Sequence, residues 1–184
     1  WTYLPSIYKS TDGGESFTRI AELTSANGFT VGTSHFDMWT PQMENGDVYV
    51  LNDGDCYILS DNDELTLVGD FSPSGSGSNI LIGGVDDGQV FLHCRVGSQQ
   101  YTSLDGGGTW ENRGTLPTGT FTINSFECNP YDPNKLVIGN VDGYRSTNGG
   151  NSWNLINNWW EYYSAPATKL HADLPEFTYF TDPV

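Results

Sequence analysis

One short stretch of this sequence combines aromatic rings with a carboxylate, because Trp159, Trp160, Glu161, Tyr162 and Tyr163 follow one another. Sugar C–H faces pack on aromatic rings and sugar hydroxyls need acceptors, so the stretch is typical of a carbohydrate-contacting surface. The same rings could instead pack against neighbouring structural elements, and both interpretations stay open. We take these five residues as candidate ligand contacts.

Two His-x-Asp segments also carry groups that could do chemistry: His35 with Asp37, and His171 with Asp173. An imidazole beside a carboxylate can bind a metal or relay a proton. The alternative is an imidazole that only hydrogen-bonds a neighbouring strand end. Two histidines without further ligands do not make a metal centre, so we predict ligand contacts at these four residues, no metal and no cofactor.

Two other groups of reactive side chains are predicted to be structural. The adjacent carboxylates Asp86 and Asp87 stand in a short turn, where solvated turn residues are expected rather than a catalytic pair. Cys56, Cys94 and Cys128 have no metal-ligand spacing and are expected to fill the core on successive strands. One disulfide with one cysteine left over stays an alternative.

A repeated sequence motif indicates which structural elements position these groups. Three stretches read YKSTDGGESF (8–17), YTSLDGGGTW (101–110) and YRSTNGGNSW (144–153), and a degenerate fourth, LSDNDELTL (59–67), lacks both glycines. The central acid or amide recurs at spacings of 50, 43 and 43 residues, which is typical of a repeat protein with blade-sized units. The repeated positions are Ser10, Asp12, Gly14, Phe17, Ser60, Asn62, Thr66, Ser103, Asp105, Gly107, Trp110, Ser146, Asn148, Gly150 and Trp153.

Each repeated position has a structural reason. The Asp or Asn accepts backbone N–H bonds in a tight turn, Gly-Gly provides positive φ, and the last residue re-enters the apolar layer. We therefore predict four equivalent hairpins with Phe17, Leu67, Trp110 and Trp153 buried between sheets.

The motif S-x-D-x-G-x-[ST]-[WF] resembles the Asp-box, or BNR repeat, of sialidase-like, xyloglucanase-like and sortilin-like β-propellers. The resemblance implies an all-β fold of four-stranded antiparallel blades, of which this chain would hold about four of a larger ring. The expected units are the end of a blade with its link (1–34), three blades (35–78, 79–121 and 122–170, the last with a long link) and the inner strand of a further blade (171–184). The long link carries the aromatic stretch and is expected on the face opposite the Asp-boxes.

Composition narrows the function classes. The chain has 23 acidic and 7 basic residues, for a net charge of −16, and its scattered cations exclude a phosphate-binding stripe, so we expect no nucleic-acid partner. No apolar run is long enough to predict a membrane span. An acidic, lysine-poor surface is typical of secreted bacterial proteins, so we expect a secreted or cell-surface location.

The resemblance leaves two functions open. In the first, the chain is a protein- or glycan-binding or structural module of a larger protein, and its partners include the other blades. In the second it belongs to a glycoside hydrolase, xyloglucanase-like or sialidase-like, whose catalytic residues lie partly outside this segment. A sialidase needs an arginine triad, which cannot be assigned here, and xyloglucan hydrolysis needs two opposed acids. We favour the binding module and assign no catalytic residue.

Overall fold

A computed structural model describes residues 6–27, 36–41, 47–52, 54–71 and 79–180. The candidate His35 lies outside the described residues. The strands are β1 (Ser6–Lys9), β2 (Thr18–Glu22), β3 (Phe36–Trp39), β4 (Val48–Asn52), β5 (Asp55–Leu59), β6 (Leu65–Asp70), β7 (Asn79–Asp86), β8 (Gln89–Val96), β9 (Gln99–Ser103), β10 (Glu111–Thr115), β11 (Phe126–Cys128), β12 (Leu136–Gly139), β13 (Gly143–Ser146) and β14 (Asn154–Asn157). Three short 3-10 helices occupy Ser25–Asn27, Ile123–Ser125 and Trp159–Tyr163.

The strands form four antiparallel sheets in chain order. Sheet 1 contains β1 and β2, while sheet 2 (β3 to β6), sheet 3 (β7 to β10) and sheet 4 (β11 to β14) are four-stranded meanders. The described residues include no α-helix. The predicted all-β class with four-stranded antiparallel blades is therefore confirmed.

Apolar residues of neighbouring sheets meet in three layers. One layer joins sheets 1 and 2 around Leu23 and Val50, a second joins sheets 2 and 3 around Leu51 and Leu92, and a third joins sheets 3 and 4 around Phe126. The first strands of sheets 2, 3 and 4 lie side by side, because β7 contacts both β3 and β11. We call β3, β7 and β11 the inner strands.

Three copies of the repeated motif adopt the same turn. In the middle copy the Ser103 hydroxyl donates to Asp105 Oδ1 at 2.8 Å and accepts from Gly107 N at 2.8 Å, while Thr109 N donates to Asp105 Oδ1 at 2.8 Å. The same three hydrogen bonds form in the first copy and in the last one, where Asn replaces Asp. In the first copy, hydrogen bonds from Ser16 hold the pKa of the central carboxyl well below its ordinary value. The acceptors of the turn are occupied by the turn itself.

The prediction that the fourth copy forms an equivalent hairpin is wrong. Residues 60–64 make a shorter turn in which Ser60 N donates to Glu64 O at 2.9 Å and Asp63 N donates to Ser60 O at 3.0 Å. Ser60 Oγ is buried without a hydrogen-bond partner, Asn62 is exposed at the tip, and Thr66 is already within β6. Without two glycines the longer turn has no residues suited to its positive φ angles, so the strands join earlier.

Of the four closing residues predicted to be buried, only the two tryptophans pack between sheets, and both are half-buried. Trp110 stacks on Phe71 with ring centroids 4.7 Å apart, and Trp153 packs on the layer between sheets 3 and 4. Phe17 is 63% exposed and Leu67 is 52% exposed, so their predicted burial is wrong. Each tryptophan packs against the sheet that precedes it. No described sheet precedes Phe17. Leu67 follows the shortened turn, so it does not occupy the position of the tryptophans.

The second glycine of the repeated turn contacts the preceding sheet. A Cβ on Gly107 would lie 2.5 Å from Cys56 Sγ, and one on Gly150 would lie 2.1 Å from Gln100 Oε1. A Cβ on Gly14 of the first copy would meet no atom within 4 Å, although its φ of +95° is like the +97° of Gly107. The turn therefore has two separate requirements for glycine, one in backbone conformation and one in close approach between sheets.

The three cysteines are free and buried, as expected for core residues. They lie on β5, β8 and β11, which are a third, a second and an inner strand. Burial raises the pKa of Cys56 to about 12, so this thiol stays protonated and unreactive at neutral pH.

A buried histidine that sequence reasoning missed joins sheets 3 and 4. His93 Nε2 lies 2.8 Å from the carbonyl oxygen of Pro133, and Nδ1 lies 3.0 Å from Thr102 Oγ1. Because a carbonyl oxygen can only accept, Nε2 carries the proton and Nδ1 accepts from the Thr102 hydroxyl. Burial lowers the pKa of His93 to about 4, the positive charge of Arg113 adds to this effect, and the bond to Pro133 opposes it.

Residues 171–180 do not form the predicted inner strand. Their backbone makes isolated hydrogen bonds to sheet 4, from Leu174 N to Asn140 O at 2.8 Å and from Phe177 N to Asn124 O at 2.9 Å. A strand needs a continuous ladder, and no second strand follows within the described residues. The segment nevertheless lies beside the inner strands, since Thr178 lines the same cavity as they do.

The two glycine requirements can be separated by substitution. Gly14→Ala should lower the free energy of unfolding by about 1–2 kcal/mol through its left-handed backbone alone. Gly107→Ala should add a further loss of about 1–3 kcal/mol, because its Cβ would overlap Cys56 Sγ. Urea unfolding of both variants checks this, and equal losses would contradict the role of close approach.

Acid should weaken the fold through His93. Its pKa is 6.5 when unfolded and about 4 when folded, so its contribution is complete above pH 6.5 and declines as the pH falls toward 4. Against His93→Gln, which does not titrate, the unfolding free energy of the natural chain should fall by about 3 kcal/mol across this range, at ~1.4 kcal/mol per pH unit. Parallel profiles for the two chains would show that this imidazole is not held neutral.

Candidate functional site

The aromatic stretch lies in a closed loop, residues 158–169, whose two ends are joined by one buried side chain. Asn157 Oδ1 accepts from Leu170 N at 2.9 Å, and Asn157 Nδ2 donates to Leu170 O at 3.2 Å. Within the loop, Ala165 N donates to Glu161 O at 3.0 Å and Lys169 N to Ala165 O at 3.1 Å. The loop is thus built from internal hydrogen bonds rather than left to solvent. We call it the aromatic loop.

Two polar side chains fix the start of the aromatic loop. Asn158 caps the 3-10 helix Trp159–Tyr163 by accepting from Trp160 N at 3.0 Å. Asp142 Oδ1 accepts from Trp159 N at 2.9 Å. Asp142 belongs to the turn between β12 and β13, which is at the opposite end of β13 from the repeated turn. The aromatic loop therefore lies on the rim opposite that turn.

The rings of the aromatic loop contact one another edge to face. Trp159 and Trp160 have ring centroids 4.8 Å apart at 78°, and Tyr163 lies 5.5 Å from Trp160 and 5.9 Å from Trp159. Trp160 is 66% exposed and Tyr163 is 64% exposed, whereas Trp159 and Tyr162 are half-buried. The loop thus offers two exposed ring surfaces supported by two others.

The carboxylate of the aromatic loop is not free. Glu161 forms an ion pair with Lys169 across the loop, and both side chains are partly exposed. Such an exposed pair adds little stability, about 0–1 kcal/mol, but it balances the charge of Glu161.

The second His-x-Asp segment is only partly brought together with the rings. His171 packs edge to face on Tyr162 with centroids 4.9 Å apart, and its Nδ1 lies 2.9 Å from Ala172 O. Asp173 is exposed with φ of +70°, and it is not hydrogen-bonded to His171. The imidazole therefore packs against the aromatic loop, and it makes no hydrogen bond to Asp173. No cluster of three metal-ligating side chains occurs among the described residues.

Asp37, which the sequence grouped with His35, lies in a different site. It is on β3, where its Oδ2 accepts from Leu81 N of β7 at 2.7 Å and its Oδ1 accepts from Met38 N at 2.9 Å. Burial raises the pKa of this carboxyl above its ordinary value, although the two hydrogen bonds oppose the shift. Asp37 lines a cavity of about 300 Å³ along the inner strands, which we call the inner cavity.

A second carboxyl in the inner cavity was missed by sequence reasoning. Glu127 lies on β11, accepts from Cys128 N at 2.9 Å, and has its pKa raised by burial. A signal was present, because Phe36-Asp37 and Phe126-Glu127 each place an acid directly after the first apolar residue of an inner strand. An acid inside a short apolar strand is unusual unless it faces a cavity or a partner.

The candidate residues therefore divide between two places with different chemistry. The aromatic loop combines exposed rings with a neutralised carboxylate on an outer rim. The inner cavity holds two carboxyls whose only hydrogen-bond donors in the described residues are backbone N–H groups. The first arrangement suits surface recognition, and the second suits a small ligand or proton transfer.

Comparison with known proteins adds no family assignment. A scan of family models finds no match to the chain, and neither does a search of curated proteins. Across the described residues, no helix has the length and apolar character that a membrane span requires.

Proposed function

We propose that this chain is a carbohydrate-binding module that contacts a neutral glycan through the aromatic loop. The observation that carries the proposal is the exposure of Trp160 (66%) and Tyr163 (64%) on a loop that is ordered by its own hydrogen bonds. A ring held in place before binding loses little conformational entropy when a sugar stacks on it.

Electrostatics support a neutral rather than an acidic glycan. The chain carries a net charge of −16, so an anionic polysaccharide would be repelled. The Glu161–Lys169 pair balances the charge of Glu161 but keeps its carboxylate oxygens within the loop as acceptors for sugar hydroxyls. A secreted or cell-surface location, as the acidic and lysine-poor composition favours, would bring the loop into contact with extracellular glycans.

The hydrolase alternative has weaker support. The described residues that line the inner cavity include two acids and no arginine, whereas a sialidase-like enzyme needs cations for its acidic substrate. A xyloglucanase-like enzyme needs acids on two sides of the bond. Asp37 and Glu127 are the only acids among the described residues that line the inner cavity, and β7 lies between their two strands. We therefore propose binding rather than hydrolysis.

Truncation of the most exposed ring should separate binding from stability. Loss of an anchoring ring commonly removes about 2 kcal/mol of binding free energy, so Trp160→Ala should weaken glycan binding roughly thirtyfold. Its melting temperature should change little, since the ring is 66% exposed. Electrophoresis in gels containing xyloglucan, mixed-linkage β-glucan or galactomannan, followed by calorimetry, measures the affinity.

Two further variants make this test specific. Tyr131→Ala removes a ring that is 57% exposed on a turn of the same sheet and should leave affinity unchanged. Trp159→Ala, which removes the supporting ring, should lower both affinity and melting temperature. Unretarded migration of the natural chain in all three gels would overturn the proposed ligand class, and a stable Trp160→Ala chain with natural affinity would overturn the site.

A further inference from the structure

The rings of the aromatic loop do not form a flat surface. Trp160 and Tyr163, the two exposed rings, have their planes inclined by 67° with centroids 5.5 Å apart. Both also contact the half-buried Trp159, at angles of 78° and 76°. Because each of these rings meets the other two edge to face, their faces bound a concave corner. We call Trp159, Trp160 and Tyr163 the ring corner.

The angle between the rings limits which glycans can use both of them. A sugar packs its C–H face flat on an aromatic plane, so consecutive sugars of an extended chain need ring faces that share a plane. Faces inclined by 67° do not offer this. Rings with centroids 5.5 Å apart also touch each other, so the space between their faces holds about one sugar ring.

The position of that sugar in its chain follows from the shape of the ring corner. A sugar within a chain is linked on both sides, and one of its neighbours would meet a ring that stands across the stacking face. A sugar at the tip of a chain or of a side branch has one linkage, which can point out of the ring corner into solvent. Trp159 supports both exposed rings, so they are held at this angle before a sugar binds.

Polar groups beside the ring corner can orient a single sugar. His171 is exposed, and its ring centroid lies 6.5 Å from that of Tyr163. Its Nδ1 lies 2.9 Å from Ala172 O, and because a carbonyl oxygen can only accept, Nδ1 carries the proton. Nε2 of the neutral ring is then an acceptor for a sugar hydroxyl, and the half-buried Lys169 on the same loop is a donor.

We propose that the ring corner binds one neutral pyranose at the tip of a chain or side branch, and not a run of sugars within a chain. Trp160 and Tyr163 contact the same sugar, and His171 accepts from one of its hydroxyls. The inference rests on the proposed function of the aromatic loop and adds which part of a glycan the loop recognises.

Electrophoresis in polysaccharide gels tests the inference with the 184-residue chain. Xyloglucan and galactomannan carry short side branches, whereas mixed-linkage β-glucan is unbranched and has few chain ends. At least one of the two branched polymers should retard the chain, and mixed-linkage β-glucan should not. Enzymatic removal of side branches from the retarding polymer should reduce the retardation in proportion to the branches removed, although the backbone is unchanged.

Competition by a free sugar tests whether both rings contact one unit. The monosaccharide that forms the branch tips should displace the retarding polymer at a concentration on the order of 10 mM. Trp160→Ala and Tyr163→Ala should each weaken binding of this monosaccharide at least about fivefold. Tyr131→Ala removes a ring that is 57% exposed outside the aromatic loop and should change nothing. Melting curves establish that each variant is folded before it is compared.

Three outcomes would overturn this inference alone. They are retardation by mixed-linkage β-glucan as strong as that by the branched polymers, full retardation after the side branches are removed, and natural monosaccharide binding in a folded Tyr163→Ala chain. Unretarded migration in all three gels would instead overturn glycan binding by the aromatic loop, and this inference with it, so the two failures are distinguishable.

Discussion

The close approach of two repeated turns to the preceding sheet is the contact on which the arrangement of sheets 2, 3 and 4 depends. At Gly107 and Gly150 the backbone comes so near to the neighbouring third strand that a Cβ would overlap a side chain there. Between sheets 3 and 4, hydrogen bonds also cross the interface, from Gln100 Nε2 to Gly149 O at 3.0 Å and from Arg113 Nη1 to Asn151 Oδ1 at 2.9 Å. Apolar layers between sheets are not directional, so these turns and bonds determine the register in which one sheet meets the next.

This use of the turns explains why functional groups must be sought elsewhere. The serine and the central acid or amide of each turn are already hydrogen-bonded within it, and the second glycine is covered by the neighbouring sheet where one is present. The side chains that remain available to bind a ligand therefore lie on the opposite rim and along the inner strands, where they are not used in the hydrogen bonds of the turns. The aromatic loop and the inner cavity occupy those two places.

Much of the fold could be predicted from the sequence because the repeated turn is a local structure. Its hydrogen bonds join residues at most four positions apart, so the motif alone specifies them. The shortened turn at 60–64 was not predicted, because residues 59–67 were aligned with the full length of the repeated motif. A turn of that length needs the two glycines, which this copy lacks. Glu127 was missed although the repeated Phe-acid pair at the start of two inner strands could have indicated it. His93 and the exposure of Phe17 could not be predicted, since each depends on a neighbouring sheet that is distant in sequence or absent from the described residues. The aromatic residues were found as a group, but their contacts with His171 and Lys169 depend on the closure of the loop by Asn157.

The two candidate sites differ chiefly in how their carboxyls are balanced. Glu161 has Lys169 beside it, so its charge is balanced by a neighbouring side chain. Asp37 and Glu127 have no such partner among the described residues, and burial raises their pKa values. The chain has only 7 basic residues against 23 acidic ones, so few cations are available to pair with its acids. In the inner cavity, the two acids lack a basic partner among the described residues and are also desolvated. For an acid in that position, desolvation favours the protonated form and the backbone N–H bonds favour the carboxylate, so the balance of these two effects determines its protonation state.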